Sequence, residues 1–170
     1  WLGIKNVVIA IERNKPQAID LMMQRTADMD GVSVKPLKTR YPQGAEKVMI
    51  YSVTGREVPA GGLPSDVNVL VMNVTSISVL GKYLATGMPL VQKRLTVAGA
   101  AVETRQNVEV TVGTMVADII AFCGGYKGQP AKLLFGGPMM GVALPGDDYP
   151  VTKQNNAILA LSKQEADVPP

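Results

Sequence analysis

Histidine is absent from all 170 residues, and cysteine occurs once, as Cys123. The first absence excludes Ser-His-Asp catalysis, Cys-His pairs and histidine-ligated metals within the chain. The second excludes an internal disulfide and an iron–sulfur cluster held by the chain's own thiolates. Cys123 ends the apolar run Ile119-Ile120-Ala121-Phe122-Cys123, so a buried, inert thiol is expected and a reducing compartment suits it. Aromatic residues make up 5% of the chain, too few for a base-stacking platform. Seventeen basic against 14 acidic side chains leave a net charge of only +3. The basic residues are scattered rather than gathered in a stripe, so nucleic acid is not an expected partner. No apolar run approaches the roughly 20 residues of a membrane helix, and no signal-peptide pattern is present. The sequence opens at Trp1 without methionine and stops at Val168-Pro169-Pro170, which reads as a piece cut from something longer.

What is present suits one large globular domain or two small ones: 46% of residues are apolar and 18% charged. Asn6 to Glu12, NVVIAIE, predicts a buried strand. Asn14, Lys15 and Pro16 mark a helix start, with Ala18, Ile19, Met22, Met23 and Thr26 at helical spacing and Asp30-Gly31 closing the run. Val32 to Leu37 alternates as a second strand. Strand, helix and strand at this length favour a parallel pair with a right-handed crossover. Glu46 to Val53 predicts a helix capped by Thr54-Gly55. Val67 to Met72 predicts a further buried strand, followed by a Thr75-capped helix that Gly87 and Pro89 stop. Residues 1 to 89 thus read as an α/β layer.

The pattern changes after Pro89. Val91–Ala98 and Asn107–Val112 predict a hairpin, and Thr114 is expected to cap a helix from Met115 to Cys123 that Gly124-Gly125 ends. Strands follow at Lys132–Phe135 and Ala157–Leu161. Two strands, a helix and more strands is the order of a β-grasp module, placed here at residues 90 to 170.

The candidate site lies in the breaker-rich stretch from residue 39 to 66, TRYPQGAEKVMIYSVTGREVPAGGLPSD. Such backbone is either flexible filler or the shaped lining of a site. Gly44, just ahead of a helix, lets a ligand approach the backbone, and Glu46 can accept hydrogen bonds from a ligand amide or ribose. The plainer alternative is an acidic first turn complementing the helix dipole. Asn73 follows the third expected strand, where ligands of open α/β sheets bind. It offers a donor and an acceptor to a heterocycle, or simply serves as a turn or capping residue. Arg56 and Glu57 either line the site or remain solvated loop charges. The glycine-dense loop Gly136–Gly141 lacks the lysine and Ser/Thr of a phosphate loop. It reads as a stiffened turn or, through its methionines, a partner interface.

Several of these stretches together resemble the RnfC family. They are Tyr41-Pro42-Gln43-Gly44-Ala45-Glu46-Lys47, Val53 to Pro64, Met72-Asn73-Val74, Leu95 to Gly99, Gly136 to Gly141 and Pro150 to Lys153. That family is similar to the NADH-binding flavoprotein subunit of respiratory complex I. The resemblance implies a Rossmann-like three-layer α/β part followed by a β-grasp domain of SLBB type. It implies that Gly44 and Glu46 lie near the nicotinamide and Asn73 beside the flavin. Ala45 stands where the related motif has its first glutamate, Met72 where it has a first asparagine, and Thr75 where it has a glutamate. The implied cofactors are FMN and NADH at a partial site, with 4Fe-4S clusters held by cysteine repeats expected after Pro170. A glycine-rich flavin loop is expected before Trp1. The implied partners are the other Rnf complex subunits, on the cytoplasmic, inner face of the cell membrane. An alternative is an SLBB-type docking module of a soluble RnfC-like reductase in a cobalamin or proline reductase system.

Overall fold

A computed structural model describes residues 3 to 167. The chain divides into two compact units between Val74 and Thr75. In the first, strand β1 (Val7–Glu12), helix α1 (Pro16–Thr26) and strand β2 (Val32–Leu37) form the expected β-α-β unit, with β1 and β2 paired in parallel. Pro16 occupies the first helical turn, where its missing N–H costs nothing, and Ile19 is the buried anchor of α1. Helix α2 (Glu46–Thr54) follows, with Ile50 buried to 1% exposure. It ends on Gly55 at φ +73°, whose N–H donates to the Tyr51 carbonyl at 2.8 Å. That left-handed cap is the one expected from Thr54-Gly55.

The expected strand Val67–Met72 does not form. A 3-10 turn, Pro64–Val67, occupies its start, and Asn68 closes that turn in the left-handed region at φ +54°. The Val69 N–H returns to the Pro64 carbonyl at 3.1 Å, and residues 69 to 73 pair with no strand. An apolar run of six residues fits a strand or a tethered coil equally well. Here proline and the left-handed asparagine decide for the coil. The first unit's sheet therefore has two strands.

Helix α3 (Val74–Thr86), in the second unit from its second residue onward, ends at Gly87, φ +71°, whose N–H donates to the Tyr83 carbonyl at 2.7 Å. The helix starts at Val74, one residue before the expected Thr75 cap. Then come β3 (Gln92–Ala98), β4 (Gln106–Thr111), α4 (Val116–Phe122), β5 (Lys132–Phe135), β6 (Val142–Leu144), β7 (Ala157–Leu161) and a short α5 (Lys163–Ala166). The five strands lie in the order β4-β3-β7-β5-β6. β3 and β7 run parallel at the centre, and every other pairing is antiparallel. This hairpin, helix and late central strand is the β-grasp arrangement read from the sequence.

Alternation builds its core. Lys93, Leu95 and Val97 of β3 point inward, while Gln92, Arg94 and Thr96 face out. Leu95, Val97, Val108, Leu133, Ile158 and Ala160 of the sheet pack with Val116, Ile119 and Ile120 of α4. Cys123 joins this core at 1% exposure, as its apolar context predicts. Lys93 is buried too: its ammonium donates to the Lys153 carbonyl at 2.7 Å and Asn156 Oδ1 at 3.3 Å, while burial lowers its pKa.

Thr114 is not the cap of α4. Met115 stands at that position and its side chain makes no cap hydrogen bond; the Thr114 hydroxyl donates instead to the Thr111 carbonyl at 2.8 Å. The orphan donors of the first turn are taken by another segment. Val116 N–H reaches the Tyr149 carbonyl at 2.9 Å and Ala117 N–H the Asp147 carbonyl at 3.0 Å. The same segment engages Tyr126, whose hydroxyl donates to Asp147 Oδ2 at 3.0 Å. Burial, then the hydrogen bond and charge of Asp147, push the Tyr126 phenol up to about 12 from its ordinary 10.0.

The pH consequence has a definite sign. The folded state holds the phenolic proton more tightly than the unfolded chain, so this contribution is complete below pH 10 and is lost as pH rises from 10 to about 12. Urea midpoints at pH 8, 10 and 12 are expected to fall steeply over the last interval. In Tyr126→Phe that extra alkaline slope is expected to disappear; an identical slope in both proteins would rule the linkage out.

Candidate functional site

Within the first unit, the stretch from residue 39 to 66 is tied down rather than loose. Gln43 is 3% exposed and donates through Nε2 to Ser52 Oγ at 3.1 Å, pinning the Pro42-Gln43-Gly44 turn to α2. Lys47 Nζ donates to the Pro59 carbonyl at 3.0 Å, holding the Val58-Pro59-Ala60 loop against the helix start. Arg56 Nη1 donates to the Val67 carbonyl at 2.7 Å, joining that loop to the end of the 3-10 turn. Asp66 Oδ2 accepts from the Leu63 N–H at 2.9 Å and shapes the turn between. Of the two loop charges read from the sequence, Arg56 is thus a loop tie. Glu57 instead lines a hollow.

This framework carries Gly44 and Glu46 at the head of α2. Gly44 is exposed, and a Cβ built there would meet no heavy atom within 4 Å, so the backbone stands open to an approaching group. Ala45 is the N-cap and supplies no side-chain hydrogen bond. Glu46 begins the helix, exposed. Asn73 is also exposed and directly precedes α3. Gly44 and Glu46 are brought together by chain adjacency. Two hollows among the described residues are lined neither by them nor by Asn73.

The first, an open hollow of about 330 Å³, lies beside α2, lined by Arg40, Lys47, Tyr51, Ser52 and Glu57 among others. Sequence reasoning passed over Arg40 and Tyr51. The signal was available for Tyr51, because Lys47 and Tyr51 are four apart on α2 and must share a face. The second, of about 450 Å³, belongs to the second unit and lies between the end of α3 and the start of β3, from Val79 to Gln92.

Fit to a flavin divides by the part of the cofactor considered. The open backbone at Gly44 and the exposed Glu46 suit the edge of a planar ring. The phosphate end is different: helix α1 begins at Pro16, which has no N–H, after a lysine rather than a glycine turn. Among the described residues no glycine-rich turn leads from a strand into a helix to receive a phosphate. Groups of three or more metal-ligating side chains are likewise absent among the described residues.

Two family models match the chain. Residues 1–82 match the family model described as the Nuo51 FMN-binding domain, and residues 94–143 match the SLBB domain. The chain is 43% identical over 164 residues to the C subunit of the proton-translocating ferredoxin:NAD(+) oxidoreductase complex of Clostridium ljungdahlii, covering 96% of this chain and 36% of that protein. It is 40% identical over 167 residues to the C subunit of the Na(+)-translocating ferredoxin:NAD(+) oxidoreductase complex of Acetobacterium woodii, covering 98% of this chain and 38% of the relative. The chain thus spans a little over a third of the length of these curated relatives. A crystal structure of an NAD+-reducing [NiFe]-hydrogenase superposes with a TM-score of 0.71 at 14% identity, covering 96% of this chain and 34% of that one, and so shares the fold. The chain belongs to the RnfC family, and its sequence pairs a Nuo51-type FMN-binding domain with an SLBB domain.

Proposed function

We propose that this chain forms one wall of the flavin and NADH site of an RnfC-type electron-transport subunit. In that role residues 1 to 89 belong to the flavin part and residues 90 to 170 to the SLBB part. The observation that carries the reading is the braced loop system around α2, which holds Gly44 open and Glu46 exposed at a fixed helix start. The chemistry, when the cofactors are bound, is theirs: a hydride from NADH to FMN, then single electrons to iron–sulfur clusters held elsewhere in the protein. The chain's own residues bind and orient. Gly44 admits the ring edge, Glu46 accepts hydrogen bonds from the nicotinamide or its ribose, and Asn73 meets the flavin ring. With no phosphate cradle among its described residues, the chain alone is expected to bind FMN weakly or not at all.

The test uses a subunit of the relatives' full length. A hydrogen bond to a charged group contributes about 1.5–3 kcal/mol, so Glu46→Gln is expected to lower kcat/KM for NADH by roughly 10- to 100-fold. Bound FMN should be unchanged in that variant, whereas Asn73→Ala should lose flavin. Wild-type kinetics in Glu46→Gln together with full flavin in Asn73→Ala would remove the reading. The setting that goes with it is peripheral, on the inner face of the cell membrane, among the other Rnf subunits. Among the described residues no helix is long and apolar enough to cross a membrane.

A docking role for the SLBB part is favoured by one observation: Met139 and Met140, in the β5–β6 loop, are 70% and 92% exposed. Serine at both positions is expected to weaken assembly with partner subunits without changing NADH oxidation by an artificial acceptor. Unaltered assembly would exclude that loop.

A further inference from the structure

Helix α3 carries an apolar face that nothing in its own unit covers. Its thirteen residues, VTSISVLGKYLAT, include no buried side chain. Ile77, Leu80, Tyr83 and Leu84 recur at helical spacing and are 46%, 36%, 49% and 52% exposed. The helix is mostly apolar, and Lys82 is its one charged residue. A helix of this composition is stable in water only when its apolar stripe is packed, because propensity alone does not hold thirteen residues. Among the described residues of the second unit, no strand or helix packs extensively on it.

Two observations say what the cover is. The Nuo51 FMN-binding domain match runs to residue 82 and so takes in most of α3, although the helix groups with the second unit. The relatives continue for nearly two thirds of their length outside the stretch that this chain spans. We propose that the Ile77, Leu80 and Leu84 face of α3 is an internal packing surface, seated against further polypeptide of the same subunit that completes the FMN-binding domain. A second copy of the chain and another member of the complex are the competing occupants. The chemistry of the stripe agrees with an internal contact: Ile77, Leu80 and Leu84 are aliphatic, and Lys82 is the helix's one charge.

Cys123 is the single thiol of the 170-residue chain and, at 1% exposed, serves there as an internal standard of intactness, while in the longer subunit labelling is read on the peptide that carries position 80. Leu80→Cys is made in the 170-residue chain and in a subunit of the relatives' length that contains it, and both are labelled with a maleimide. Labelling in the short chain is expected to be fast and independent of protein concentration. In the isolated full-length subunit it should slow at least tenfold, with Cys123 silent throughout. Ser78→Cys, on a different face of the helix, controls for general access. Equal rates in the two lengths would overturn the proposal. So would protection in the short chain that grows with concentration, the mark of a second copy, or protection of the full-length subunit only inside the assembled complex, the mark of a partner.

Discussion

Gly99→Ala is expected to destabilise the β-grasp unit by about 3 kcal/mol or more. Gly99 directly follows β3 at φ +104°, a conformation that L side chains rarely adopt. A Cβ there would lie inside contact distance of the Ala160 carbonyl oxygen, with the Ala160 carbon at 2.5 Å and nitrogen at 3.0 Å. The obstacle is backbone, and backbone that cannot yield. Ala160 belongs to β7, paired to β3 on one side and β5 on the other, and its carbonyl also accepts from the Ala101 N–H at 3.1 Å. Gly137→Ala is the comparison, since that glycine has ordinary φ and nothing within 4 Å of an added Cβ. Its denaturation midpoint should stay within about 0.5 kcal/mol of the parent. Equal midpoints for the two variants would show that the seam between β3 and β7 is looser than described.

Ile158→Ala is expected to cost about 2–5 kcal/mol, and Ile158→Val about 0.5–1.5 kcal/mol. Ile158 is 0% exposed near the middle of β7, opposite Val97 on one side and Phe135 on the other. The wide range for alanine reflects how far a site can collapse, and this one has little freedom. Its neighbours are strands fixed by their own ladders and α4 anchored by Val116, Ile119 and Ile120. Cys123 in the same core reports opening directly, so thiol reactivity should rise in step with the loss of stability. Val142→Ala on edge strand β6, 66% exposed, should leave both measures nearly unmoved. A graded series of alanine, valine and parent with no gradient in either measure would contradict the core assignment.

The sequence was most informative where pattern and packing coincide. Val32–Leu37, Lys132–Phe135 and Ala157–Leu161 stand where alternation or short apolar runs put them. Gly55 and Gly87 end their helices as glycine after a periodic run should. Val67–Met72 misled because apolar content alone does not distinguish a strand from a tethered coil, and Arg56, which ties the Val67 carbonyl, acts from eleven residues away. Thr114 misled because the donors of α4 are satisfied by residues 147 to 149, a contact that no local pattern encodes. β6, three residues long, left too short a signal to register. Of the site, the breaker-rich stretch was legible as shaped backbone. The roles of Lys47 and Gln43 as its ties were not, because each depends on a partner nine or twelve residues distant.

The position of β7 has a further consequence, for how the molecule is made. The last strand in sequence lies in the middle of the sheet, between β3 and β5. As the polypeptide leaves the ribosome, the β3–β4 and β5–β6 ribbons can each zip by local pairing, but β3 and β5 keep open edges that only β7 fills in the native sheet. Until residue 161 emerges they remain two half-sheets with Leu95, Val97 and Leu133 facing water. A chain released before residue 157 would keep both ribbons and lose the wedge that joins them, leaving a sticky product for chaperones and proteases.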